Sequence, residues 1–486
     1  MMDISFNSLK KNPYLILSLA CILCYVPFST IGYLSDDFIF LSYYNIEGWN
    51  MIFSNFHDAF FIPLTHIVQL ILLEIFNQHS FYIHLFQIFL HLFIALQLYH
   101  LTSTVLKFDL LKSLLASLFF ILLPFQAECI LWFSSIGYQC CLLFTLLAIK
   151  CFYKEQLIMY IIFMVLAIHC KEIGYIIPLL TIGVYFLNNK NINLKFWIGS
   201  TILVIASSLL FRYMVLGEIL GGYGANTHLN FEPQTIIKVI AGYIIKFFSF
   251  SRFALSEEQI LLQFLIVLLL ISPLLISKIK AKKYKPILLW IFFFVVCLLP
   301  VINLEITSIK SIQSDRYGYF ASVPVVILFA SAISHFKQNI SYLISTAALL
   351  TLTILTTYDN FKWNNASQLC ENYLSKLTAL DLSSKTILLL NVPDNYKGVY
   401  VLRNGVNEHL KSKSINTEIS IKKYQTFFQK DGGLVLKDLK YHDYHAETYT
   451  ENSIQKIGNY QNEFDLILYF KNGNFYEADK LTFVND

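Results

Sequence analysis

Long apolar runs alternate with short polar segments over most of this chain. About thirteen runs of roughly 20 apolar residues precede residue 358, and runs of this length are typical of helices that cross a bilayer. Hydrophobic residues make up 56% of the chain and charged residues only 14%, which excludes an ordinary soluble protein of 486 residues. The pattern predicts an all-α polytopic membrane protein that ends in a segment of different character.

Basic residues indicate which runs cross the membrane, because lysine and arginine collect at cytoplasmic ends. If the runs at 62–77 and 235–252 are helices in the outer interface, about eleven transmembrane helices remain, with roughly two thirds of the earlier basic residues on the cytoplasmic side. Lys10 and Lys11 then place the N-terminus in the cytoplasm, before an uncleaved anchor. The predicted spans lie near residues 13–31, 83–106, 111–124, 130–149, 156–170, 173–188, 196–216, 259–277, 286–302, 317–334 and 340–357.

The composition changes at residue 358, where the long apolar runs stop and charged residues become frequent. We therefore predict a transmembrane domain over residues 1–357 and a small soluble α/β domain over residues 358–486. Because the number of spans is odd, the second domain lies outside the cytoplasm of a multi-pass protein in the plasma or inner membrane. Its predicted elements are strands over 385–392 and 415–421, a short helix over 398–410, and a hairpin at Asn472-Gly473.

Unusual polar residues collect on the predicted outer side, at the ends of spans rather than at their centres. They are Asp36, Asp37, Glu128, Lys171, Glu172 and Arg316. Glycosyl transfer from a lipid phosphate needs a carboxylate that takes the acceptor's proton and cations that stabilise the leaving phosphate. The sequence has no Gly-rich phosphate loop and no basic patch, so we expect no nucleotide or nucleic-acid partner.

Six short motifs follow one another along the chain. They are Ser35-Asp36-Asp37, Phe61-Ile62-Pro63-Leu64-Thr65, the histidine-bearing run from His84 to His91, Pro124-Phe125-Gln126-Ala127-Glu128, Cys170-Lys171-Glu172, and Asp315-Arg316-Tyr317-Gly318-Tyr319. Their order resembles the GT-C superfamily of integral-membrane glycosyltransferases, and most of all the protein O-mannosyltransferases that use polyprenyl-phosphate sugars. The resemblance covers about residues 13–335. It departs at Ile62, where the family usually has arginine, at the 124–128 turn, which lacks the usual histidine, and in the absence of tetratricopeptide repeats.

The resemblance implies an inverting hexosyltransferase that moves a sugar, which is mannose in the protein O-mannosyltransferases, to a protein, glycan or lipid acceptor. Asp36 is the predicted base, with Asp37 as the alternative or as a residue that positions it. The donor phosphate would be held by Arg316 and Lys171. The implied substrate-binding residues are Glu128, Glu172, His57 and His66. The expected partners are the polyprenyl-phosphate sugar, the acceptor and the lipid bilayer.

We expect no cofactor and no required metal, because no histidine or third carboxylate is spaced to complete a shell around Asp36 and Asp37. Two other functions stay open. A transporter or flippase of lipid-linked sugars would use the same charges along a path, although such proteins tend to show inverted repeats. A polysaccharide polymerase or ligase would be expected to have more basic outer loops than this chain has before residue 200, where only Lys171 is predicted outside.

Overall fold

The computed structural model of the chain describes most of the helical region and parts of the C-terminal region. The described residues are 12–53, 60–188, 194–219, 232–254, 256–302, 309–382, 386–390, 392–413, 418–421, 424–430, 433–438, 465–471 and 473–477. Asn472 of the predicted hairpin turn and the predicted site residue His57 lie outside them.

The described residues are mostly helical. The helices are α1 Pro13–Tyr25, α2 Asp36–Glu47, α3 Pro63–Ile75, α4 Ser80–Thr104, α5 Leu110–Leu122, α6 Ala127–Leu131, α7 Ile136–Tyr153, α8 Leu157–Cys170, α9 Ile177–Asn188, α10 Leu194–Leu216, α11 Pro233–Ser249, α12 Glu257–Lys280, α13 Lys285–Leu298, α14 Ser322–Ile333, α15 Gln338–Thr378 and α16 Val406–Ser412. Short 3-10 turns connect several of them, including Glu172–Ile176 and Asp315–Gly318.

Several of these helices are long and apolar enough to be membrane spans. Among the described residues, 5 helices are long and apolar enough to cross a membrane. The number is 6 if the bent pair formed by α5 and residues 124–131 is one span. A helix also lies at every run that the sequence predicts to be a span, and at the two runs assigned to the interface. A mostly helical, membrane-embedded protein is therefore supported, whereas the number of about eleven crossings stays a prediction.

Local chemistry explains where α5 begins and ends. The Asp109 side chain accepts a hydrogen bond from the backbone N–H of Lys112 at 2.9 Å, which satisfies a donor that the first turn leaves without a helical partner. Pro124 follows soon after the helix ends, because proline has no N–H to continue it. The chain bends by 57° there, and the short helix α6 after the bend buries Glu128.

The chain divides into two compact units. The first unit comprises Met1–Thr30 and Trp49–Phe361, and the second comprises Ile31–Gly48 and Lys362–Asp486. The division therefore falls within α15, a few residues after the change in composition at 358. It also assigns α2, with Asp36 and Asp37, to the unit that contains the C-terminal region.

A mixed sheet forms the centre of the second unit. Its strands are β1 Thr386–Leu390, β4 Glu418–Ile421, β7 Leu466–Lys471 and β8 Asn474–Glu477, in the order β4-β1-β7-β8. β1 pairs in parallel with β4 and β7, and β8 is antiparallel to β7. Two short antiparallel ladders pair β2 Asn395–Tyr396 with β3 Val399–Tyr400, and β5 Tyr424–Lys430 with β6 Gly433–Asp438.

The described strands lie where the sequence predicts strands and a hairpin, with shorter bounds, whereas a separate soluble domain stays a prediction. The central strand β1 is buried at Ile387 and Leu389, which are two residues apart and therefore on the same face of the sheet. The predicted helix over 398–410 is confirmed only in its second part, because Val399 and Tyr400 pair in a strand and the helix begins at Val406. The predicted hairpin is confirmed by the antiparallel pairing of β7 with β8.

Residues 31–48 are held in the second unit by backbone contacts. The backbone N–H of Gly32 donates to Ser367 Oγ at 2.7 Å, and that of Ser35 donates to the carbonyl of Val401 at 2.8 Å. α2 packs against α16, and Gly405 lies at the closest approach, where an added Cβ would be 2.5 Å from the carbonyl oxygen of Ser35. Gly405 also has a φ of +92°, which side chains rarely adopt.

Replacing Gly405 with alanine should destabilise the second unit. Gly473 is the matched control, because it lies in the same unit with a φ of +77°, and an added Cβ would meet only the end of the Asn372 side chain, at 3.3 Å. We expect Gly405→Ala to cost about 1–3 kcal/mol more than Gly473→Ala, because only the former overpacks the contact with α2. Thermal unfolding of the full chain in detergent measures both. Equal shifts would contradict close packing of Gly405 against residue 35.

Candidate functional site

Arg316 and Glu128 form a buried ion pair in the first unit. The backbone N–H of Arg316 donates to Glu128 Oε2 at 2.7 Å, and its guanidinium donates to Oε1 of the same carboxylate. The Glu128 side chain is 1% exposed and that of Arg316 is 14% exposed. Glu128 therefore fixes Arg316 through both the backbone and the side chain, and leaves part of the guanidinium accessible.

Aromatic rings surround this arginine. Its Cζ lies 4.6 Å from the Tyr317 ring centroid and 5.1 Å from that of Trp132. The Tyr317 ring contacts Tyr138 edge to face, with centroids 6.2 Å apart. Arginine and sugar rings both pack well on aromatic faces, so these rings orient the cation and offer an apolar wall beside it.

A second buried set consists of four charges, and Asp315 is one of them. Lys246 Nζ is 3.2 Å from Asp315 Oδ1, and Arg252 contacts the other oxygen of that carboxylate. Arg252 also donates to Asp359 Oδ2 at 2.7 Å. All four side chains are 2% exposed or less. Two cations and two carboxylates balance, which is what makes burial of these charges tolerable.

Lys171, Glu172 and Arg212 form a more open cluster, which we call the shared-carboxylate cluster. Glu172 lies 3.6 Å from Lys171 Nζ and 3.2 Å from Arg212 Nη1. The side chains of Lys171, Glu172 and Arg212 are 17%, 30% and 7% exposed. Glu172 thus contacts both cations, and the side chains of Lys171 and Glu172 stay accessible to a ligand.

Close packing between three helices fixes the position of Lys171. Thr65 Oγ1 donates to the carbonyl of Cys170 at 2.6 Å, and a Cβ added to Gly137 would lie 2.7 Å from that hydroxyl. The contact joins the start of α3, the end of α8 and the start of α7. Lys171 Nζ is then 4.2 Å from the Phe60 ring centroid and 5.5 Å from that of Tyr138.

Tyr138 connects the two cation sites of the first unit, since its ring contacts both Lys171 and Tyr317. The structure thus brings Glu128 together with Arg316, and Lys171 together with Glu172. His66 is buried in α3, directly after Thr65.

In the second unit, the two predicted acids have different surroundings. Asp37 is completely buried, and its Oδ2 accepts a hydrogen bond from the backbone N–H of Leu34 at 3.0 Å. Asp36 is half-buried, and its Oδ1 accepts from Asn404 Nδ2 at 2.6 Å. Asp37 therefore stabilises the turn into α2, whereas Asp36 has the access that a catalytic base requires.

Backbone strain lies directly before these acids. Ser35 has a φ of 48° and a ψ of −115°, a conformation that residues other than glycine rarely adopt. Such strain costs on the order of 1–3 kcal/mol, and it is found mostly at functional sites. The hydrogen bond from Ser35 N–H to Val401 helps to hold this conformation, and with it the direction in which Asp36 projects.

His409 adds no positive charge beside α2 at neutral pH. Its ring contacts Phe38 edge to face at 5.1 Å. Burial, with a smaller contribution from the positive charge of Lys413, lowers the pKa of His409 to about 4. The imidazole is therefore neutral above that pH and packs as an apolar ring.

Sequence reasoning missed five residues that the structure brings to these sites, namely Arg212, Lys246, Arg252, Asp359 and Asn404. Arg212 and Asp359 were not assigned a role, although Arg212 is a charge inside an apolar run, which is a useful signal by itself. Asn404 gave no signal, because an uncharged residue in a polar segment is ordinary.

Within the described residues, no group of three histidine, cysteine, aspartate or glutamate side chains could hold a metal ion.

No family model, no curated protein and no solved structure matches this chain. A functional assignment therefore depends on its own residues. Asp36 belongs to the second unit and Arg316 to the first, and their meeting at one membrane face stays a prediction.

Loss of one carboxylate from the buried four-charge set should be strongly destabilising. Asp315→Asn leaves Lys246 and Arg252 against Asp359 alone, and breaking a buried pair in this way costs about 3–5 kcal/mol. Glu257→Gln is the control, because Glu257 pairs with Lys310 at 3.1 Å but is 78% exposed, and such pairs contribute about 0–1 kcal/mol. Thermal unfolding in detergent should separate the two variants, and similar shifts would show that the buried set is not structural.

Proposed function

We propose that this protein is a membrane glycosyltransferase that moves a sugar from a polyprenyl phosphate to a protein, glycan or lipid acceptor on the non-cytoplasmic side. Mannose is the sugar that the resemblance favours. The reaction is a single displacement with inversion. The acceptor hydroxyl oxygen bonds to the anomeric carbon, its proton passes to a carboxylate, and the bond from that carbon to the phosphate oxygen breaks.

The observation that carries this proposal is the shared-carboxylate cluster. The leaving polyprenyl phosphate gains negative charge as the bond breaks, so partly desolvated cations aimed at it lower the barrier. Lys171 and Arg212 supply two such cations, and Lys171 is partly exposed and lies close to the Phe60 ring. The planar guanidinium of arginine can bind two phosphate oxygens.

Arg316 then has a secondary role in the proposal. Its guanidinium and its backbone N–H are both held by Glu128, so the pair is already electrically balanced. Together with the Tyr317 and Trp132 rings, it suits contact with the sugar better than neutralisation of a dianionic phosphate. We therefore assign the donor phosphate first to Lys171, the more exposed cation of the shared-carboxylate cluster, with Arg212 as the second cation.

Asp36 is the base in this proposal. It is half-buried and accepts a hydrogen bond from Asn404, which fixes one oxygen and leaves the other for the acceptor proton. Asp37 positions the turn instead, since it is buried and bonded to the backbone of Leu34. The long apolar helices support a donor that stays in the membrane.

Removal of the base should abolish transfer. Purified Asp36→Asn supplied with radiolabelled polyprenyl-phosphate mannose and a membrane extract as acceptor source should lose transfer by about 10²–10⁴-fold. Glu47→Gln is the control, because Glu47 is an exposed acid at the other end of the same helix. Its transfer rate should equal that of the unmodified protein.

Full activity of Asp36→Asn would exclude Asp36 as the base. If the unmodified protein transfers neither mannose nor other sugars from polyprenyl phosphates, while its unfolding transition shows that it is folded, the glycosyltransferase proposal is wrong.

The cations of the shared-carboxylate cluster should affect donor use. We expect Lys171→Gln combined with Arg212→Gln to lower kcat/KM for the donor by about 10²–10³-fold, because leaving-group stabilisation is lost. Lys238→Gln removes an exposed lysine from α11, on the same predicted side, and should leave kcat/KM unchanged. Arg212→Lys should keep the positive charge but lose the planar contact with phosphate. Its kcat/KM should therefore lie between that of the double variant and that of Lys238→Gln. A double variant that folds and keeps its kcat/KM would refute the phosphate role.

A further inference from the structure

The first unit contains an apolar cavity of about 880 Å³ between its helices. Side chains of α4, α5, α7, α9 and α11 to α14 line it, and most of these are leucine, isoleucine, valine or phenylalanine. Ligand sites in proteins have volumes of about 300–1,000 Å³, so the cavity is large enough to hold a sizeable molecule. None of the residues assigned to the proposed reaction lines it.

The cavity is elongated along one face of α12. The lining residues of that helix are Phe264, Leu268, Ile271, Leu274, Leu275 and Lys278. Most of them alternate in steps of four and three residues, which places them on a single face. From Phe264 to Lys278 the helix rises by about 21 Å, a length that suits one extended acyl chain. The apolar face ends in a lysine.

Three lysines lie at that end of the cavity. Lys107, Lys112 and Lys278 line it, and the lining contains no aspartate or glutamate. Lys112 Nζ is 3.8 Å from the Phe108 ring centroid, and both Lys112 and Lys278 are half-buried. Among the described residues, none of the three is within ion-pair distance of a carboxylate. Asp109, which caps α5 three residues before Lys112, is a nearby carboxylate, so three cations face one acid at this end. The remaining excess of positive charge beside an apolar cavity is complementary to an anionic amphiphile.

We propose that this cavity binds an anionic phospholipid, with its phosphate at the three lysines and an acyl chain along α12. The basic-residue pattern assigns this end of the helices to the cytoplasmic side, where anionic phospholipids attract basic residues next to the membrane. Lysine stems lie along apolar surface while the ammonium groups reach the headgroups. This second lipid site is separate from the donor site, and its occupation does not depend on the proposed reaction.

Phosphatidylglycerol, compared with phosphatidylcholine of the same acyl chains, tests the proposal. The full chain in detergent should retain phosphatidylglycerol in native mass spectrometry and unfold at a higher temperature with it, whereas phosphatidylcholine should do neither. A cavity variant replaces Lys107, Lys112 and Lys278 with glutamine. A matched variant replaces Lys280, Lys282 and Lys283, which are exposed lysines of the same region outside the cavity.

We expect the cavity variant to bind phosphatidylglycerol at least about tenfold more weakly than the matched variant. Ser331→Phe keeps all three lysines but fills part of the cavity, and it should also weaken binding. Unfolding without added lipid checks that each variant is folded. Equal losses of phosphatidylglycerol binding in the two lysine variants would overturn the proposal, because the effect would then come from surface charge alone. Preferential retention of polyprenyl phosphate over phosphatidylglycerol would also overturn the proposal, because the cavity would then hold the donor.

Discussion

The cost of keeping ionised groups away from water constrains the helical unit more than any other interaction. Lys246, Arg252, Asp315 and Asp359 are nearly inaccessible, and each has an oppositely charged neighbour. A buried set of this kind contributes little net stability compared with apolar packing, but loss of one member leaves a charge uncompensated. The buried set is therefore complete only when α11, the turn at 251–253, the 315–318 turn and α15 keep the same relative positions. The Glu128–Arg316 pair depends on the same turn, since Asp315 and Arg316 are consecutive.

The acid pair in the second unit depends on backbone contacts rather than on ion pairs. Ser35 has a strained conformation, and the hydrogen bond to Val401 and the close packing of Gly405 oppose its relaxation. One consequence is that two adjacent aspartates become inequivalent. Asp37 is used for the turn, and Asp36 projects with one oxygen bonded to Asn404. The sequence motif does not distinguish the two aspartates, whereas their surroundings leave only Asp36 partly accessible, as the proposed base requires.

The helices were predictable because apolar runs of this length are a strong and local signal. The two runs that were assigned to interfacial helices are also helices in the structure, α3 and α11. The partners of the charges were not predictable, because Arg252 and Asp359 are separated by more than 100 residues and their pairing depends on packing. The same limit applies to Asn404, which lies far along the chain from Asp36. A sequence pattern gives the type of group that a site needs, whereas the balance of charge at that site depends on the tertiary structure.

Burial also separates the cations that have a structural role from those that can act on a ligand. Lys246 and Arg252 are matched by two buried carboxylates, and Arg316 is matched by Glu128. Lys171 and Arg212 both contact Glu172, and the side chains of Lys171 and Glu172 are 17% and 30% exposed. In the proposed reaction the donor phosphate would therefore meet Lys171 first, because a partly exposed cation can be reached without opening a buried ion pair. The resemblance gives the first place to Arg316, since arginine suits phosphate. The buried carboxylate that already holds Arg316 is the reason for preferring Lys171 in the proposal.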